Sequence, residues 1–99
     1  MSISTKTLDD AVTAAKIAFD GTDKHPFGHG FAHMELDGRT SLAKAMKAHP
    51  DVSADNSDYV TVDGVNRYLA AQKAAYSAFC DVLDDAGVET DITIAGRLD

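Results

Sequence analysis

From Val65 to Ala86 apolar side chains recur at helical spacing: Val65, Tyr68, Leu69, Ala75, Tyr76, Phe79, Leu83 and Ala86, with Gly87 directly after them. This pattern predicts a long amphipathic helix, entered through Asp63 or Asn66 and stopped by the glycine. Thr90-Asp91-Ile92-Thr93-Ile94-Ala95 then alternates with period two and predicts a strand over 90–96. Earlier in the chain, Leu8, Ala11, Val12, Ala15 and Phe19 mark one face of a helix over about Thr7–Asp20, with Thr7 as its cap, Asp10 completing a capping box and Gly21 as its stop.

His29 to Leu36 alternates cleanly and predicts a strand, closed by the turn residues Asp37-Gly38. Thr40 or Ser41 caps a short second helix with Leu42, Ala45 and Met46 on its apolar edge. Pro50 ends it, because helical geometry is disfavoured at the preceding His49. Residues 51–57 are polar and acidic and read as a loop, and Tyr59-Val60-Thr61-Val62 reads as a short strand.

The expected order is therefore α-β-α-β-α-β. It describes an α/β chain built as an α+β-like two-layer sandwich: a three-stranded sheet with the first and third helices packed on one face, in a single domain over residues 1–99. Ala32, Met34, Leu36, Val60, Val62, Ile92 and Ile94 would point inward. The other sheet face would carry Phe31, His33, Glu35, Tyr59, Thr61, Asp91, Thr93 and Arg97, either as a partner surface or dimer interface or covered by the second helix and the loops.

Composition narrows the function classes. The chain has 44% hydrophobic and 25% charged residues, the balance of a globular protein. Sixteen acids against nine bases give a net charge of −7, which argues against non-specific nucleic-acid or membrane binding and suits a basic protein partner. One cysteine, Cys80, allows neither an intrachain disulfide nor an all-cysteine metal site and points to a reducing, cytoplasmic location. No run approaches the length of a membrane span, and none near Met1 has the apolar character of a signal peptide.

The chemistry-bearing motifs are incomplete. His25, His29 and His33 have a spacing of four, but Pro26, Gly28 and Gly30 exclude a helix there. On a strand His29 and His33 stand roughly 13 Å apart, too far to share one ion. His33-Met34-Glu35 matches only the first part of a zinc-deaminase signature, whose paired cysteines are missing. Gly28-His29-Gly30 precedes a strand rather than a helix and is no phosphate loop. Cys80 sits inside the long helix as a small core residue, and no serine has a nucleophile-elbow pattern. The expectation is a non-enzymatic protein without a cofactor or metal.

The acids are grouped. Asp51, Asp55, Asp58 and Asp63 share a base-free stretch over 48–66. Asp81, Asp84, Asp85, Glu89 and Asp91 share another over 74–96. Asp84 and Asp85 fall at the end of the long helix, where a carboxylate opposes the helix dipole; this suggests a use beyond solubility, against the alternative of a chain rich in Asp throughout. Asp81, Asp84, Asp85, Glu89 and Asp91 are the first candidates for contact with a basic partner, and Asp51, Asp55 and Asp58 the second. Arg39, Lys44 and Lys47 around the second helix are too few for a nucleic-acid groove. The alternative site is the open sheet face, with Phe31, His33, Glu35 and Tyr59 around a small ligand, where a paired His and Glu can do acid–base work. A further alternative is a homo-oligomeric module that buries the same face.

Gly30-Phe31-Ala32-His33-Met34, then Arg39, Leu42 and Lys44, then Gln72, Ala75 and Leu83, then Gly87 and Arg97-Leu98-Asp99 form a set over residues 28–99. This set resembles small uncharacterised proteins encoded by bacteriophages and mobile elements, with His33 standing where a large aromatic is expected. The resemblance implies a setting in the host cytoplasm and an inhibitor's mode of action: blocking a basic host or defence complex that handles nucleic acid, in the manner of an anti-CRISPR protein.

Overall fold

The computed structural model describes residues 3–24, 28–56 and 58–98. Their elements are α1 (Thr5–Asp20), β1 (Gly30–Glu35), α2 (Ser41–Ala48), β2 (Val52–Ala54), β3 (Tyr59–Val62), α3 (Leu69–Asp85) and β4 (Thr93–Leu98). The chain is α+β, and its sheet has four strands rather than three, ordered β2-β3-β1-β4, with every neighbouring pair antiparallel. From β1 onward this is a β-α-β-β-α-β split arrangement, with α1 added in front.

The extra strand lies in the stretch expected to be a loop. Val52-Ser53-Ala54 has one apolar residue and no alternation of its own, and it becomes a strand by pairing with Val60–Val62. The turn between them is set by Asn56, whose side-chain oxygen accepts from the backbone N–H groups of Asp58 and Tyr59.

Helix ends also differ from expectation where two residues could serve. Ser4, not Thr7, caps α1 and accepts from the N–H of Thr7, so the helix starts earlier. Thr40 caps α2 through the N–H of Ala43, and His49 before Pro50 is extended as expected. α3 begins at Leu69 rather than near Asp63. Residues 63–68 form a loop in which Gly64 and Arg67 take positive φ, and the N–H of Leu69 bonds the carbonyl of Gly28. At the other end Gly87, at φ 77°, completes a Schellman motif: its N–H reaches Asp84 and that of Val88 reaches Leu83. The last strand is shifted to Thr93–Leu98, because Asp91 and Ile92 have no strand neighbour.

All three helices lie on one face of the sheet. Leu8, Ala11, Val12 and Ala15 from α1, Leu42, Ala43 and Met46 from α2, and Ala75, Tyr76, Phe79 and Leu83 from α3 join one buried cluster. The sheet contributes the expected inward set to that cluster: Ala32, Met34, Leu36, Val60 and Val62 are buried, and Ile92 and Ile94 pack against it partly covered. Each fully buried large side chain contributes about 1.5–3 kcal/mol through lost contact with water. The second helix therefore does not cover the other sheet face, which was one of the two expected arrangements. No helix among the described residues is long and apolar enough to cross a membrane.

Candidate functional site

The face of the sheet away from the helices is built by alternation. Buried Ala32 and Met34 on β1 leave Phe31, His33 and Glu35 on the opposite side. The register sets Arg97 beside Phe31, Ala95 beside His33, and both Thr93 and Tyr59 beside Glu35. Phe31 is 62% exposed, a large apolar ring on an interior strand, on a surface that no helix among the described residues covers.

Of the four residues expected there, His33 meets both Tyr59 and Glu35, and Phe31 shares a cleft with His33 and Tyr59. The His33 ring stacks on Tyr59, centroids 4.3 Å apart and planes 28° apart, which is a diagonal cross-strand contact. Its Nε2 lies 2.9 Å from Glu35 Oε1, two residues along the same strand face. The pair is part-buried, so each side chain is held in place by the other and by the sheet beneath it. An open cleft of about 600 Å³ lies over this surface, walled by Phe31, His33, Tyr59, Asp55 and Arg97. A second cleft of about 360 Å³ shares Phe31, His33 and Asp55 and reaches down to Gln72 between β1 and β3. This arrangement offers aromatic faces, one fixed imidazole–carboxylate pair, and charges of both signs.

The grouped acids occupy a different place. Asp81, Asp84 and Asp85 are exposed near the C-terminal end of α3. Asp84 accepts from the Thr90 hydroxyl at 3.1 Å, which folds the following turn back onto the helix end. Glu89 and Asp91 line a small cleft of about 160 Å³ with Asp37 and Thr40, the N-cap of α2. Carboxylates beside a helix N-terminus are favourably placed, whereas Asp84 and Asp85 stand at the unfavourable end of α3. Among the described residues none of these five acids has an ion-pair partner. The second acidic group is dispersed: Asp51 pairs with Lys16 at 3.1 Å, Asp58 accepts from the N–H of Gly38, and Asp55 lines the open face. Arg39 beside Asp37 holds that carboxyl below the usual range, an exposed local pair.

The remaining candidates have structural surroundings. Cys80 is half-buried, and burial together with the carboxylates of Asp84 and Asp81 pushes its thiol up to about 11, so it is not a thiolate at neutral pH. The His29 ring meets Tyr68 edge-on at 5.1 Å, and His25 lies outside the described residues. Among the described residues no three His, Cys, Asp or Glu side chains are grouped to hold a metal.

Sequence reasoning missed His49. Its side chain is 6% exposed and bridges two elements. Nδ1 accepts from the N–H of Asp51 at 3.0 Å, which places the ring proton on Nε2, where it is donated to Asp9 on α1 at 2.6 Å. The available signal was a histidine at a helix end before proline, with Asp51 two residues on.

Comparisons of the chain with protein families, with curated proteins and with solved structures give no match.

Proposed function

We propose that this is a non-enzymatic binding protein that docks on a larger, basic protein through the uncovered sheet face, with the acids at the end of α3 steering the approach. The observation that carries the reading is Phe31, exposed on an interior strand of a sheet face from which all three helices are absent. A rigid, aromatic-centred surface loses little conformational freedom on binding and supplies apolar contact where affinity concentrates. The charge of −7 and the unpaired acids favour a partner of opposite sign. The resemblance to small phage proteins makes a host or defence complex that handles nucleic acid, in the host cytoplasm, the first class of partner to test, with inhibition as the mode of action.

The test is capture from host lysate with wild type and with Phe31→Ala. A basic protein held by the wild type and lost with the variant supports the reading. Equal capture by both removes the sheet face from it.

A second reading rests on the His33–Glu35 pair at 2.9 Å beside the cleft of about 600 Å³. A small ligand there would meet a fixed imidazole and two aromatic faces, and a reaction would use the pair for proton transfer. Saturable small-molecule binding that His33→Ala abolishes, with no protein captured, would favour it.

A further inference from the structure

The two edges of the sheet are unlike. β2 is three residues long, and Ser53 on it is tied to Asp63, so that edge is short and blunted. β4 is six residues long and in unbroken register with β1 from Thr93 to Leu98. It carries no proline and no bulge, two of the devices that protect an edge, and its one charged side chain is Arg97.

The direction of its free backbone groups follows from β1. Ala32 and Leu36 direct their N–H groups to the β3 side, toward Gln72 and Asp58. Phe31, His33 and Glu35 therefore bond to β4, through Arg97, Ala95 and Thr93. Ile94, Gly96 and Leu98 are left with N–H and C=O pointing away from the sheet, and among the described residues nothing bonds them.

We infer that β4 pairs antiparallel with β4 of a second copy of this chain, about a two-fold axis at Ala95. In that register Ile94 bonds the partner's Gly96 and Ile92 bonds the partner's Leu98, so the outward groups are satisfied. Leu98, 61% exposed in the single chain, faces the partner's Ile92 on the helix side. On the open side Arg97 faces the partner's Thr93 and stands diagonal to the partner's Asp91. Arg97 and Asp91 are both exposed, and neither has an ion-pair partner among the described residues of its own chain. The register centred on Gly96 leaves Asp91 unpaired, and the one centred on Ile94 sets Arg97 directly opposite Asp91 but leaves the outward groups of Leu98 facing Thr90, outside the strand; charge and hydrogen bonding together therefore select Ala95. Repulsion between two chains of charge −7 works against the contact and keeps it dependent on concentration. The inference does not rest on the proposed function: it follows from the outward backbone groups of β4, and Arg97 is the residue that the edge shares with the cleft on the uncovered face.

The test is sedimentation equilibrium of the full chain over a range of concentrations. The expected result is a mass rising from one chain toward two. Leu98→Pro removes an outward N–H without touching the ladder to β1, and should weaken association by about tenfold or more through the two equivalent bonds lost. Arg97→Glu should weaken it too, and Arg97→Glu with Asp91→Arg should restore it. In a Cys80→Ala background, Ala95→Cys should form an interchain disulfide under mild oxidant, since the two copies of that residue face each other, and Arg97→Cys should not. A single-chain mass at every concentration overturns the proposal. So does a dimer that Leu98→Pro and Arg97→Glu leave intact, because it would use another surface. Circular dichroism of each variant confirms that the fold is retained.

Discussion

Gln72 takes the place of a strand beside Ala32. Its side-chain oxygen accepts from the N–H of Ala32 at 2.9 Å, and its nitrogen donates to the carbonyl of Gly30 at 2.9 Å. These are the groups β3 would engage if its pairing with β1 ran past Met34 and Val60. One helical turn on, the Tyr76 hydroxyl accepts from the N–H of Val62, the residue that would face Ala32 in the continued register. Two side chains of α3 thus line the seam where β1 and β3 part, and the cleft of about 360 Å³ opens over it. The helix does not only cover the sheet; it completes its hydrogen bonding.

Replacing Gln72 should therefore cost more than its volume suggests. Gln72→Leu keeps the size and leaves a buried N–H and a buried carbonyl without partners, at about 1–3 kcal/mol each, so a loss of about 2–6 kcal/mol is expected in denaturant titration. Gln72→Glu keeps the acceptor and loses the donor. It should be destabilised at neutral pH and recover as the carboxyl is protonated, because the acid form can donate to Gly30.

Tyr76 makes the protein sensitive to alkali. Burial raises its phenol from 10.0 to about 12, because the phenolate is poorly solvated there. A group with a raised folded pKa contributes its stability fully below the unfolded value and loses it as pH rises through the folded one. Its contribution should accordingly fall away between pH 10 and about 12, by on the order of 2 kcal/mol. Cys80, raised from 9.0 to about 11, adds to the loss in the same direction. Tyr76→Phe should cost about 1–2 kcal/mol at neutral pH, since Val62 loses its acceptor, and should flatten the alkaline decline when unfolding is followed against pH.

Phe79 and Leu83 test the packing between α3 and the rest of the core. Both are fully buried, one turn apart, in the cluster shared with α1 and the sheet. Phe79→Ala and Leu83→Ala should each lose about 2–5 kcal/mol through lost burial and the cavity left behind. Denaturant titrations showing losses below about 0.5 kcal/mol would mean that the face is relaxed rather than packed.

Elements with their own periodicity were legible in the sequence: β1, β3, the two long helices and the inward set around Met34 and Val60. The glycine stop at Gly87 was legible because few residues tolerate its conformation. β2 was not, because Ser53 and Ala54 have no strand pattern and are ordered by their neighbour. The start of α3 was misplaced because Val65 is buried from within a loop and continues the apolar spacing without being helical. Alternation alone put Phe31, His33, Glu35 and Tyr59 on one face. Their contact depends on cross-strand register, which no local pattern encodes. The partners of Gln72, and the Asp9 that His49 meets on α1, lie tens of residues away in the chain and could not be read from either neighbourhood.

The acids at the end of α3 give the sharpest test of the binding function. Changing Asp81, Asp84 and Asp85 together to Asn removes negative charge from the wrong end of a helix dipole, worth about 0.3–1 kcal/mol per exposed site. Asn at position 84 keeps an oxygen to accept from Thr90, so the turn after the helix should survive. Melting temperature should hold or rise slightly. If the acids steer a basic partner, association should slow while dissociation changes little, and wild-type association should itself slow as salt is raised. Stability and affinity would then move in opposite directions, which a merely solubilising patch cannot produce. Surface-plasmon kinetics on the captured partner, run at low and high salt, read association and dissociation, and thermal melting reads stability. Association by the triple variant at the wild-type rate in low salt would reduce these acids to solubility and leave the face around Phe31 as the whole of the binding surface.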